Sequence, residues 1–138
     1  MYCEYTDDIS NDQLTLQMLY NFNNNIVKKN LILIFSAPTC GPCKQLAHTL
    51  KSIYENLTDD QKKEVPNTIK LSANLLSDDD LRYIKKYPTV ITIENDQINK
   101  IDRQKPMMEQ LFLNNDVNKI VGLPQMNFYD QHKLTVDF

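Results

Sequence analysis

No tryptophan occurs in this chain, and only two of its 138 residues are glycine, Gly41 and Gly122. Alanine is scarce too, while Asn, Ile and Lys abound; this fits an AT-rich cellular or viral genome and carries no mechanism. Long apolar runs are missing. Nothing approaches the roughly 20 consecutive apolar residues of a membrane-spanning helix, so no membrane association is expected. The stretch Met1 to Asp8 has neither a basic start nor an apolar core, so no secretory signal is expected there. Cysteine is sparse, at three residues. That speaks against a structural disulfide scaffold and makes a reducing cytoplasm the expected compartment, a host's if the protein is viral. The net charge of -3 gives no reason to expect nucleic acid as a partner. Internal repeats and flexible linkers are absent. An apolar fraction of 41% with 24% charged residues is ordinary for a globular protein, and the length suits one core.

Against that plain background one heptapeptide stands out, Ala37-Pro38-Thr39-Cys40-Gly41-Pro42-Cys43. It follows the apolar run Leu31-Ile32-Leu33-Ile34-Phe35, which reads as a buried strand. The apolar residues after it, Cys43, Leu46, Ala47, Leu50, Ile53 and Leu57, recur at helical spacing. Two cysteines spaced for a disulfide therefore sit where a strand ends and a helix begins. A CxxC beside a βα unit is the sequence form of a dithiol redox site. Cys40 precedes the first helical turn, near unsatisfied N–H groups and the positive dipole end, which favours a thiolate. Pro42 fits the first turn at no cost in hydrogen bonds, and Gly41-Pro42 permits a tight entry. Cys43 lies on the apolar stripe, within reach of a mixed disulfide formed at Cys40.

The other reading of two such cysteines is half of a zinc site. Structural zinc needs four ligands, usually from a second CxxC or a histidine pair. Only Cys3, His48 and His132 remain, at no such spacing, so neither a metal nor any other bound cofactor is expected. Cys3 reads as an incidental thiol, His48 as a solvated residue of the CxxC helix, and His132 as part of a polar segment.

Further elements follow from periodicity. Residues Tyr2 to Thr6 suit a short edge strand. Leu14, Met18, Phe22 and Ile26 recur every four residues, which predicts a helix from about Asn11 to Asn25. Asp59 to Glu64 reads as a polar connection, and Thr68 to Leu75 as a strand. Ser77-Asp78-Asp79-Asp80 resembles a capping box opening a helix from Asp78 to about Lys86, with Leu81 and Ile84 facing inward. Tyr87-Pro88-Thr89 then leads into a strand from Val90 to Glu94, a turn at Asn95-Asp96, and a second strand from Gln97 to Asp102. Pro106 opens a last helix to about Asn114.

The segment Phe35-Ser36-Ala37-x-Thr39-Cys40-Gly41-Pro42-Cys43-Lys44 closely resembles the thioredoxin active-site motif, and the order of elements from about Asn11 to Asn118 is similar to that family. The resemblance implies a thioredoxin fold, an α/β architecture whose central mixed sheet is flanked by helices and ends in an antiparallel hairpin of the strands Val90–Glu94 and Gln97–Asp102. It implies that Cys40 is the nucleophile and Cys43 the resolving thiol. It implies that Pro88 follows a cis peptide bond opposite the CxxC and, with Tyr87, Thr39, Gly41 and Pro42, shapes a groove for substrate. Lys70 matches the family's strand lysine, or is an ordinary surface lysine.

Three features depart from the pattern. The family's buried aspartate, six residues before the nucleophile, is Ile34, which cannot accept a proton. Its two tryptophans near the motif are Ser36 and Thr39. Its glycine after the final hairpin is missing, with Arg103 nearby. The expected function is reduction of protein disulfides through Cys40 and Cys43, slowed by the missing acid, with a disulfide-containing client and a thioredoxin-reductase-like electron donor as partners. The alternative is a thioredoxin-fold assembly subunit whose dithiol is dispensable.

The thioredoxin-like domain is expected to span residues 1–119 and a C-terminal extension residues 120–138. Ile120, Val121, Leu123, Met126, Phe128, Tyr129, Leu134, Val136 and Phe138 make that extension too apolar for a disordered tail. It is expected to pack on its own domain or to dock on an assembly partner.

Overall fold

A computed structural model describes residues 2–5, 19, 30–64, 66–94 and 97–118. Four strands form one sheet in the order β1-β3-β2-β4. They are β1 (Tyr2–Tyr5), β2 (Asn30–Ser36), β3 (Asn67–Ser72) and β4 (Thr89–Glu94). β1 and β2 both run parallel to β3, whereas β4 runs antiparallel to β2. The sheet is therefore mixed, with β2 and β3 at its centre. β2 is apolar at every position from Leu31 to Phe35 because both its faces are covered, and all five residues are buried.

Two apolar layers divide along that strand by the pleat. Leu31, Leu33 and Phe35 join Leu71, Ile91, Ile93, Ile98, Met108 and Leu111 on one face. Ile32 and Ile34 join Leu46, Leu50, Ile53, Tyr54, Leu57 and Val90 on the other. The second layer is supplied mainly by helix α1 (Gly41–Glu55), whose buried residues include Cys43, Leu46, Ala47, Leu50 and Ile53. The stripe read from the sequence is the face that packs. Helix α4 (Met107–Asn114) supplies Met108 and Leu111 to the first layer.

Several elements differ from the sequence reading. Residues Asp59–Glu64 form a helix, α2, rather than a connection. The reason is a reciprocal cap: Thr58 N–H donates to Gln61 Oε1 at 3.0 Å, and Gln61 N–H donates to Thr58 Oγ1 at 3.2 Å. Asp59 and Asp60 then lie at the positive end of the helix. The strand expected to Leu75 stops at Ser72, whose hydroxyl accepts from Asn74 N–H and opens a 3-10 turn over Ala73–Leu75.

Helix α3 is shorter than expected, Asp78–Leu81. Ser77 Oγ does accept from Asp80 N–H at 3.2 Å. Tyr83 and Ile84 then bond three residues back rather than four, and the chain must leave helical geometry before Pro88. Leu81 and Ile84 nonetheless pack on the core.

The expected strand from Gln97 to Asp102 is instead a 3-10 turn, Ile98–Lys100. Ile98 and Ile101 are three residues apart and both meet the core, which suits a period of three and not of two. The hairpin expected between β4 and Gln97–Asp102 is accordingly not formed. Among the described residues, the outer edge of β4 carries an isolated antiparallel bridge between Ile91 and Val117. Most of the helix expected over residues 11–25 lies outside the described residues; Leu19 is helical and fully buried. The extension at residues 120–138 and the boundary at 119 lie outside them too.

Candidate dithiol site

β2 runs into a turn at Ala37–Thr39, closed by Cys40 N–H donating to Ala37 O at 3.3 Å. Cys40 is the N-cap of α1, with φ −83° and ψ 110°, and its Sγ accepts from Cys43 N–H at 3.2 Å. Cysteine here does the work of a capping Ser or Asp, satisfying one of the orphan donors of the first turn. Pro42 stands in that turn, where its missing N–H leaves nothing unsatisfied. No φ between +20° and +160° is imposed on Gly41, and nothing lies within 4 Å of where a Cβ would stand.

Cys40 and Cys43 form a disulfide with their Cα atoms 5.2 Å apart. The two sulfurs differ in access. Cys43 is 1% exposed, buried on the helix stripe, while Cys40 is half-buried, between exposed Thr39 and exposed Gly41 and Pro42. An incoming reagent therefore meets Cys40 first.

The opposite wall comes from the segment before β4. The Tyr87–Pro88 peptide bond is cis, and Tyr87 O lies 3.7 Å from Cys40 Sγ. In the disulfide that sulfur has no proton to donate; in the reduced protein the same oxygen can accept from the thiol. Pro88 is buried and Tyr87 half-buried, and burial pushes the Tyr87 phenol pKa up. Thr89 Oγ1 donates to Lys86 O at 2.6 Å, tying the two ends of this turn together. Thr89 is also the register partner of Phe35 on β2, so one sheet carries both walls of the site.

The departures seen in the sequence have definite surroundings. Ile34 is 1% exposed and lies between Lys70 of β3 and Val90 of β4 in register. It packs in the apolar layer that includes Leu46 and Leu50 of α1. Ser36 is buried and donates to Leu71 O at 3.4 Å. Arg103 and His48 are exposed, and Lys70 is half-buried. Cys3 is in register with Ile69; His132 lies outside the described residues. Among the described residues, no group of three His, Cys, Asp or Glu side chains is placed to hold a metal.

Two residues with well-defined bonds were not singled out from the sequence, one at the end of α1 away from the dithiol and one beside β4. Tyr54 is buried on α1, and its hydroxyl donates to Pro66 O at 3.0 Å and is hydrogen-bonded to Thr68 Oγ1. Burial pushes its pKa up to about 12, against the opposing pull of the Thr68 bond. A tyrosine at the edge of a helix stripe could have signalled this, although its partners could not be named. Asn118 holds Val90 by two hydrogen bonds, and no sequence pattern marks it.

A family model described as Thioredoxin matches residues 14–117. Among solved structures, the chain is similar to the reduced thioredoxin pre-protein of Schistosoma mansoni. The identity is 21%, over 80% of this chain and 98% of that one, with a TM-score of 0.48. It is similar to Trichomonas vaginalis thioredoxin at 19% identity, over 93% and 97% of the two chains, with a TM-score of 0.48. A chloroplastic thioredoxin z matches at 21% identity, over 91% and 96%, also with a TM-score of 0.48. No curated protein matches significantly.

Proposed function

Because this chain belongs to the thioredoxin family and has its fold, we propose that it is a thiol–disulfide oxidoreductase that reduces protein disulfides through Cys40 and Cys43. The observation that carries this reading is the asymmetry of the pair, an accessible sulfur capping a helix and a buried one a turn later.

In the reduced protein the Cys40 thiolate attacks one sulfur of a client disulfide. A Cys40–client bond forms, the client S–S bond breaks, and the first client thiolate leaves. The N–H of Cys43 and the positive end of α1 favour the attacking anion. Cys43 then loses its proton and attacks Cys40 Sγ, forming the Cys40–Cys43 disulfide and releasing the second client thiolate. Two electrons have passed to the client, and a separate thioredoxin-reductase-like donor restores the dithiol. Thr39, Gly41, Pro42, Tyr87 and Pro88 form the surface against which the client lies.

The resolving step is where this chain departs from its family. Cys43 must give up a proton from the buried face of α1, whose Leu46 and Leu50 pack with Ile34, and Ile34 offers no acceptor. Turnover should therefore be slower than in members that carry the acid. The same observation favours a second reading, an assembly subunit whose dithiol is dispensable.

Reduction of insulin disulfides with dithiothreitol as electron source tests the proposal. Catalysis is expected from the wild type and none from Cys40→Ser. A wild type no faster than dithiothreitol alone would refute the oxidoreductase reading.

A further inference from the structure

The turn that faces Cys40 is held from two sides, and only one of them is the sheet. On its inner edge β4 pairs with β2 over its whole length, Thr89 with Phe35 and Val90 with Ile34. On its outer edge, Asn118 N–H donates to Val90 O at 2.6 Å, and Asn118 Oδ1 accepts from Val90 N–H at 3.1 Å. One residue thus satisfies both backbone groups of Val90, two positions beyond Pro88.

Asn118 does this at φ 62°, a left-handed conformation that Asn and Gly adopt most readily and that bulky or β-branched residues resist. Its side chain mimics a neighbouring strand's carbonyl, and its own N–H supplies the other half of a ladder step. It stands where the expected fifth strand would have paired.

We propose that Asn118 is a positioning residue for the client-binding turn: by clamping Val90 it fixes Tyr87 and Pro88 against Cys40. The inference rests on the oxidoreductase reading. Thr89 closes the turn on Lys86, so the turn moves as a unit, and its register against Cys40 depends on where β4 holds it. β2 fixes β4 along one edge, so loss of the clamp loosens the turn without removing β4 from the sheet. The thiolate-favouring groups of Cys40 belong to α1 and are not reached by the clamp.

Three variants separate side-chain clamping from backbone conformation. Asn118→Gly keeps the left-handed backbone and loses the acceptor. Asn118→Asp keeps an acceptor oxygen. Asn118→Ala loses the acceptor and strains the backbone. Amide hydrogen exchange at Val90 should quicken about fivefold or more in the Gly and Ala variants, the factor that one net hydrogen bond corresponds to. The Asp variant should exchange like the wild type. In insulin reduction, KM for the client disulfide should rise by a similar factor of about five in the Gly and Ala variants, with kcat within about twofold. Alkylation of Cys40 by iodoacetamide in the reduced protein should be no slower than in the wild type, because the groups of α1 that favour the thiolate are untouched and Tyr87 O favours the thiol.

Unchanged exchange at Val90 in Asn118→Gly overturns the clamp. Faster exchange with wild-type KM overturns the positioning role, as does an equal loss in all three variants, Asp included. A wild type that reduces no client disulfide overturns the functional reading instead, and the exchange at Val90 still decides the clamp.

Discussion

Replacing Ile34 with aspartate puts a proton acceptor into the layer beside the CxxC helix, and the consequences for stability and for rate run in opposite directions. Ile34 is 1% exposed and packed with Leu46, Leu50 and Val90. Losing a buried isoleucine forfeits about 1.5–3 kcal/mol of burial. An incompletely satisfied polar group in its place costs about 1–3 kcal/mol more. The sum, about 2.5–6 kcal/mol, is a large part of the roughly 5–15 kcal/mol by which a domain is stable.

The penalty depends on pH. Burial raises the folded-state pKa of the introduced carboxyl above its unfolded value of about 3.9. Between those two values the folded state binds the more protons, so stability falls as pH rises. The deficit of Ile34→Asp relative to wild type should thus be smallest below about pH 4 and grow toward neutrality. Urea melts of both proteins at several pH values measure this directly. In the folded variant, the carboxylate in the layer under α1 should speed resolution of a preformed mixed disulfide by about a hundredfold, the lower end of general-base catalysis. Stopped-flow release of a chromogenic thiol from Cys40 reads that step. Release no faster than wild type in a folded variant would refute the claim that the missing acid limits resolution.

Tyr54→Phe should cost about 1–2 kcal/mol, because Pro66 O and Thr68 Oγ1 are left without the buried hydroxyl; a thermal melt checks it. The raised Tyr54 pKa, about 12, means that stability is held below the ordinary value of 10 and lost as pH rises toward 12. Alkaline melts of wild type should therefore fall more steeply than those of Tyr54→Phe. At Gly41 an added Cβ meets nothing within 4 Å, so Gly41→Ala should raise stability by about 0.4–1 kcal/mol through the unfolded chain. A loss of stability in that variant would contradict the geometry given for the start of α1.

The parts of the fold legible in the sequence were those written in long apolar patterns. Leu31 to Phe35 and the stripe from Cys43 to Leu57 are buried as their spacing requires. The parts that were not legible were governed by polar caps or by short spacing. Thr58 and Gln61 make a helix of a segment with no apolar period, because reciprocal capping needs only two side chains. Ile98 and Ile101 looked like the residues of a strand, but two apolar positions cannot distinguish a period of two from one of three.

The dithiol was legible because its chemistry is local: Cys40, Gly41, Pro42 and Cys43 are consecutive. Tyr87 O beside Cys40 joins residues 47 positions apart, and only the family resemblance brought them together. Asn118, at 28 positions from Val90, had no such help. A single asparagine after a helix has many possible partners.

The central claim is that Cys40 attacks and Cys43 resolves. The most direct measurement is trapping with Cys43→Ser, in which a mixed disulfide formed at Cys40 has no resolving thiol. After incubation with a disulfide-bonded client, non-reducing peptide mapping should find the client linked to Cys40, with no such adduct in Cys40→Ser. Adducts formed equally by both variants, or found on Cys43 when Cys40 is replaced, would contradict the assigned roles.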